Sequence, residues 1–248
     1  MKWFCKRLAI SFVLMVMLTL SAWADEWKTV APGIEYTDLG SSLLRSWSHI
    51  HVFRVNLQQN RFDILLAKHL TQSHATATEF ADYSKAFIAL NGGFFDHNYH
   101  PLGLRVSHQQ QQNPIKNISW WGIFYIKDQK AHLASVPQYP HDGFIDFALQ
   151  SGPRLLVNGK IPSLKPGIAE RSALGITPDG KVIILVTENS PLTTPELARI
   201  LQTDPLQCNN ALNLDGGSSS QLVANINAFQ LNAHGFAKVS DAIIVKPM

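Results

Sequence analysis

Ser172-Ala173-Leu174-Gly175-Ile176-Thr177, Pro178-Asp179-Gly180 and Val182-Ile183-Ile184-Leu185-Val186-Thr187 follow one another as two apolar, β-branched runs around a turn. Proline and glycine supply the backbone angles such a turn needs, so the stretch predicts an antiparallel hairpin. The same signal recurs outward from it. Leu155–Val157, Asn158-Gly159 and Lys160-Ile161 carry the Asn-Gly pair of a primed two-residue turn. Trp121–Lys127 alternates, turns at Asp128-Gln129 and continues as Ala131–Val136, and Ile50–Leu57 and Phe62–Ala67 flank a short Gln-Gln-Asn break. Helical spacing is confined to Thr78–Ala86, with Thr76 or Thr78 as cap, and to the segment opened by Thr194-Pro195-Glu196-Leu197. Paired hairpins with two helices predict a single α+β domain on mixed or antiparallel sheet. A doubly wound parallel fold needs more crossover helices.

The N-terminus reads differently. Lys2, Lys6 and Arg7 precede an uncharged apolar run, Leu8–Leu20, and then Ala22-Trp23-Ala24. A spanning helix needs roughly 20 apolar residues, so this run is a secretory signal peptide over residues 1–24, cleaved at the small-x-small triplet. The expected mature domain is 25–248, periplasmic or secreted, with no stable membrane anchor once the leader is removed; Cys5 leaves with it. Removing the leader's three basic residues reduces 21 Lys+Arg to 18, against 18 Asp+Glu. A formally neutral chain without a basic run gives no nucleic-acid partner. Cys208 alone survives processing, so no intramolecular disulfide forms, and about 220 residues must be held by a core. Gln109–Asn113 reads as an exposed glutamine-rich loop.

Two strand ends share one device: Ala89-Leu90-Asn91-Gly92-Gly93 and Asn213-Leu214-Asp215-Gly216-Gly217. Each apolar run delivers a polar residue to a sheet edge, where glycines let the chain turn sharply and let amides converge on an anion. Ser218, Ser219 and Ser220 add hydroxyls to the second loop. Each loop also reads as a tight turn whose Asn or Asp bonds its own backbone.

Asn91-Gly92-Gly93-Phe94-Phe95, Pro101-Leu102-Gly103-Leu104, Ser151-Gly152-Pro153, Arg171–Ile176 and Ala211–Ser219 occur in this order. In that order they resemble phosphodiester glycosidase domains, the family of the lysosomal enzyme that removes N-acetylglucosamine to uncover mannose 6-phosphate. The resemblance covers roughly Phe87–Val223. It departs at Ser218, where relatives commonly have a third glycine, and at Gln207, where they have another; the first bears on substrate size more than on reaction class.

The resemblance implies an exported hydrolase that cleaves the bond between a sugar's anomeric carbon and a phosphodiester. Positive charge grows on the ring while a weakly basic anion departs, so anion binding matters more than protonation of the leaving group. Arg171 with the amides around Gly216 and Gly217 is the candidate clamp, because a guanidinium can hold two phosphate oxygens. Arg171 also reads as a surface ion-pair residue. Asp215 is the first candidate carboxylate to attack the anomeric carbon or activate water, and Glu188, at the end of its apolar strand, the second. Asn91, Gly92, Gly93, Asp96, Gly152, Asn213, Gly216, Gly217, Ser218 and Ser219 are the candidate substrate-binding residues. The partner is a sugar-1-phosphodiester or an envelope glycan.

Other readings compete. A non-catalytic envelope module could use the same groove to hold anionic glycans. Ser218 follows two glycines, but Gly216-Gly217-Ser218-Ser219-Ser220 lacks the second glycine of a nucleophile elbow. His97, His100 and His108 lack the further ligands of a zinc motif; a divalent cation held by carboxylates and backbone oxygens remains an open cofactor, of unassigned identity. Trp120 and Trp121 read as sugar-stacking or as hairpin packing, and Cys208 as a small core residue.

Overall fold

The computed structural model describes residues 27–40, 46–140 and 144–248. The expected leader, residues 1–24, lies outside the described residues. Among the described residues no helix is long and apolar enough to cross a membrane.

Three antiparallel sheets make up one α+β domain. The first runs β1 (Lys28–Ala31), β2 (Ile34–Asp38), β3 (His49–Val55), β13 (Val182–Glu188), β12 (Ser172–Ile176), β14 (Asn210–Asn213) and β11 (Arg154–Leu156). The second runs β16 (Phe229–Ala233), β15 (Leu222–Ile226), β5 (Ile88–Asn91), β17 (Asp241–Pro247) and β4 (Asn60–Leu66). The third runs β7 (Gln110–Asn113), β6 (Arg105–Ser107), β10 (Phe147–Ser151), β8 (Gly122–Lys127) and β9 (Lys130–Ala134).

The apolar runs are continuous because both faces of the central strands are covered. On β13, Val182, Ile184 and Val186 enter the core shared by the three sheets, beside Phe53, Leu90, Phe124 and Leu212. Ile183 and Leu185 point the other way and meet Leu197, Ala198 and Leu201 of helix α2 (Thr194–Gln202). Helix α1 (Ala77–Ser84) likewise lays Phe80 and Ala81 on Ala89, Val223, Ala242 and Ile244 of the second sheet. Burying each such large side chain stabilises by about 1.5–3 kcal/mol. Both helices start in a capping box, Thr76 with Glu79 and Thr193 with Glu196. The second cap is therefore one residue ahead of the expected Thr194.

The hairpins at Pro178-Asp179-Gly180 and Asp128-Gln129 form in register, the latter with positive φ at both turn residues. Asn158-Gly159 turns as expected, but the returning arm makes a single bridge, Val157 to Lys160, because β11 pairs with β14 instead. β3 and β4 also separate: both edges of β3 are occupied by β2 and β13, so the chain crosses at Asn56–Gln59 and β4 joins the second sheet. Gln110–Asn113 corrects the expectation of a loop. It is an edge strand on β6 beyond a turn at His108 and Gln109, with Gln110 and Gln111 exposed and Asn113 half-buried, its Nδ2 donating to the carbonyls of Pro101 and Gly103. Cys208 is buried as expected, its Sγ seated against Gly175, and burial pushes its thiol up to about 12.

Candidate active site at the junction of two sheets

β5 and β14 end side by side although they belong to different sheets, and Asn91 joins them. Its buried Oδ1 accepts from Ser172 Oγ at 2.7 Å and from the Gln221 amide at 3.2 Å. Its Nδ2 donates to the Asp215 carbonyl at 2.9 Å, and the Asp215 amide returns a bond to the Gly92 carbonyl at 3.3 Å. The two glycine corners are thus one structure, with Asn91, Gly92, Asp215, Gly216 and Gly217 gathered at a single sheet edge.

Gly92 and Gly93 are required by close approach. A Cβ on Gly92 would lie 1.7 Å from Asp241 Oδ1, and one on Gly93 2.7 Å from Arg105 Nη2. Arg105 and Asp241 form an ion pair of 3.1 Å with both side chains fully buried. Arg105 also donates through Nη1 to the carbonyls of Leu102, Gly103, Leu104 and Gln150, and through Nη2 to that of Phe94. This cation fixes the back of the first glycine loop. Gln150 meets it from the third sheet, receiving the Leu104 amide on Oε1.

Asp215 is the carboxyl at this junction. Burial raises its pKa above the ordinary 3.8; bonds from Ser219 and the Gly216 amide oppose the shift, Asp241 adds to it and the charge of Arg105 opposes it. The cation felt at Asp215 is therefore Arg105. The second loop's amides are engaged within the protein: Gly216 N donates to Asp215 Oδ1 at 3.0 Å, and Gly217 N, at positive φ, to the Glu170 carbonyl at 2.8 Å. This differs from an outward-facing amide cradle. Gly217–Ser219 closes as a single 3-10 turn, with the Ser219 side chain buried. Exposed Ser218 accepts on its carbonyl from the Phe236 and Ala237 amides, both at 2.9 Å.

Asn213 and Gly152 form the adjoining wall, through Asn213 Nδ2 to the Gly152 carbonyl at 3.0 Å. Trp121 packs against Gly152 and Phe94, whereas Trp120 is exposed. Among the described residues, Asn213 Oδ1, Trp121 Nε1, Ser151 Oγ and Ser220 Oγ are buried polar atoms with no protein partner. Buried polar atoms are ordinarily satisfied, so four around one junction mark a place built for polar company.

Three candidates sit differently. Arg171 extends on the helix-covered face of the first sheet, where Nε donates to the Leu192 carbonyl at 2.9 Å and Nη2 to that of Gly167. Its guanidinium is held in place by backbone oxygens rather than by an acid. Glu188 ends β13, and its carboxylate faces away from β14, 3.1 Å from His51 Nε2 on β3. Asp96 closes its own turn, accepting the amides of Asn98 and His100, both at 2.9 Å. That turn borders a separate cleft of about 480 Å³ with Lys68, Tyr99 and His100. A larger cleft, about 560 Å³ beside Asn60, Arg61, Phe62 and His108, lies at the opposite end of β4 and β17 from Asp241. The candidate site is the Asn91–Asp215 junction rather than either cleft.

Arg105, Gln150, Asp241, Ser172 and Gln221 were not singled out in the sequence as site residues. The available signal was one polar residue inside or at the edge of an apolar strand, as in Leu104-Arg105-Val106, Phe147-Ala148-Leu149-Gln150 and Asp241-Ala242-Ile243-Ile244. Asp38, His49 and His51 gather elsewhere on the first sheet, and the sequence signal for them is a His-x-His alternation at a strand start. His100 and His108, set aside as metal ligands in the sequence, lie apart, His100 with Asp96 at 3.3 Å and His108 with Asp63 at 2.7 Å.

Comparison with known proteins gives a family and a fold. Residues 84–246 match the family model described as NAGPA, phosphodiester glycosidase. The Escherichia coli (strain K12) protein named Uncharacterized protein YigE is 27% identical in an alignment of 157 residues that covers 57% of this chain and 62% of that protein. The matched stretch is therefore less than two thirds of that relative. Among solved structures, the fold is similar to the zebrafish N-acetylglucosamine-1-phosphodiester alpha-N-acetylglucosaminidase catalytic domain, auto-inhibited by its pro-peptide. The TM-score is 0.65 at 18% identity, covering 90% of this chain and 86% of that one. It is also similar to a hypothetical protein from Synechocystis, with a TM-score of 0.63 at 17% identity over 89% of this chain and 63% of that one. With the family model spanning well over half its length, the chain belongs to the phosphodiester glycosidase family.

Proposed function

We propose that this protein is an exported hydrolase that cleaves the bond between a sugar's anomeric carbon and a phosphodiester. The observation that carries the reading is Asp215: a carboxyl at the Asn91-stapled junction of the two glycine loops, raised in pKa chiefly by burial. A carboxylate that binds its proton more tightly is the stronger base or nucleophile once ionised. It therefore attacks the anomeric carbon or takes a proton from water there, while the departing phosphodiester needs charge stabilisation rather than a proton. Arg171 follows Glu170, whose carbonyl accepts the Gly217 amide, but its guanidinium is fixed on the carbonyls of Leu192 and Gly167 on the helix-covered face; the cation acting at Asp215 is Arg105, and a part for Arg171 in holding the anion is what its alanine variant tests. The zebrafish relative's name gives it an N-acetylglucosamine-1-phosphodiester as substrate, which supports the same bond class here. The leader expected over residues 1–24 supports envelope or extracellular glycans as the substrates.

The test is turnover of a panel of sugar-1-phosphodiesters by the purified protein, read as free reducing sugar. Wild type releases sugar, Asp215→Asn lowers kcat by about 10²–10⁴-fold, and Arg171→Ala raises KM or lowers kcat while circular dichroism stays native. Binding of the panel without release would replace this reading with a non-catalytic module for anionic glycans. Unchanged hydrolysis in both folded variants would remove the residue assignment.

A further inference from the structure

At the same end of the first sheet as Ser172, and two strands from it, β3 opens with His49 and His51, which share one face. Asp38 lies opposite His51 on β2, and Glu188 opposite His49 on β13. The two imidazoles are stacked, with centroids 5.0 Å apart and planes 14° from parallel. One donor atom each from Asp38, His49 and His51 falls within 4.8 Å of the others.

We propose that Asp38, His49 and His51 bind one divalent transition-metal ion of the zinc class, with Glu188 orienting His51 from behind. Two imidazoles and a carboxylate are the donors such ions prefer over the oxygen sets of calcium or magnesium. Three protein ligands leave a position for water or a ligand oxygen. The supporting layer is present. Glu188 Oε2 is 3.1 Å from His51 Nε2 and accepts its proton, which leaves the Nδ1 lone pair to bind metal in place of the Tyr36 hydroxyl that now donates to it at 2.9 Å. A carboxylate behind a histidine is the usual means of fixing a ligand's tautomer. Asp38 Oδ1 is occupied by the amides of Gly40 and Ile50, both at 3.0 Å, so Oδ2 is the oxygen left to bind metal.

Access agrees. The side chains of Asp38 and His51 are 16% and 4% exposed, while His49 is 28% exposed and gives the ion a path in. Zinc bonds of about 2.0–2.1 Å put tetrahedral ligands about 3.3 Å apart. His49 Nδ1 and Asp38 Oδ2, at 2.6 Å, must then part by about 0.7 Å, a rotation the partly exposed His49 can make.

The inference does not rest on glycosidase activity, and its test uses no substrate. Full-length mature protein stripped with chelator is titrated with Zn²⁺ by calorimetry, and with Co²⁺ by visible absorption. One ion per chain, loss of about 100-fold or more in affinity in His49→Gln and in Asp38→Asn, and a smaller loss of about 10-fold in Glu188→Gln are expected. The variant His108→Gln, at an unrelated His–Asp pair, retains wild-type affinity. Failure to bind, or binding unaffected by His49→Gln, would overturn the proposal and leave the four side chains as a hydrogen-bonded network. Should Asp38→Asn fail to fold, His49→Gln decides alone.

Discussion

Asp241→Ala tests the cross-brace on which the first glycine loop depends. The substitution removes the carboxylate 3.1 Å from Arg105 Nε and leaves a guanidinium whose side chain is 0% exposed without a counter-charge. The Ser240 hydroxyl, which donates to the same carboxylate at 2.7 Å, loses its acceptor as well. Breaking one side of a buried ion pair costs about 3–5 kcal/mol, chiefly from the charge left behind. For a domain of this size about 2–4 °C is lost per kcal/mol, so the midpoint should fall by about 6–20 °C. Differential scanning calorimetry of wild type, Asp241→Ala and the double variant Arg105→Met/Asp241→Leu measures this. The double variant should recover only part of the loss, because the carbonyls of Phe94, Leu102 and Gln150 then lack the donor that Arg105 provides. An Asp241→Ala midpoint within about 2 °C of wild type would mean that water reaches Arg105, and the account of a dry brace behind Gly92 would be wrong.

Asp215→Asn should be more thermostable than wild type at neutral pH. The folded pKa of Asp215 lies above 3.8, so its contribution is fully present below that value and is lost as pH rises through the folded pKa; melting curves of the two proteins should converge toward acid, and a constant gap would contradict the raised pKa. Asn91→Ala strips the Ser172 hydroxyl, the Gln221 amide and the Asp215 carbonyl of partners. At about 1–3 kcal/mol for a buried polar group left unpaired, denaturant titration should show a loss of at least that size, accompanied by loss of any sugar release. Gly92→Ala drives a methyl into Asp241 Oδ1, and should destabilise by about 1–3 kcal/mol or more in the same titration. Thr76→Ala removes the cap of α1 and should cost about 1 kcal/mol, leaving turnover of the substrate panel unchanged.

Local signals reached the fold more readily than the site. Asp128-Gln129 and Pro178-Asp179-Gly180 announced their hairpins because turn geometry is set by the residues in the turn. The helix starts were legible for the same reason, through caps within four residues. Sheet membership was not: nothing near Gln58-Gln59-Asn60 says that β3 and β4 part company, since that depends on β13, more than a hundred residues away, occupying the free edge of β3. The site divides along the same line. Asn91 and Asp215 could be named from a shared strand-end motif, but Arg105 and Asp241 could not, because an ion pair spanning 136 residues leaves no spacing to read. Such a pair is costly to bury unless every donor is met, and Arg105 meets its demand with the carbonyls of the loop that follows Gly93. The cation thereby turns an irregular segment, Phe94–Leu104, into a fixed wall, and the glycines become legible in reverse. They are glycines because two charged side chains already occupy the space their own would need.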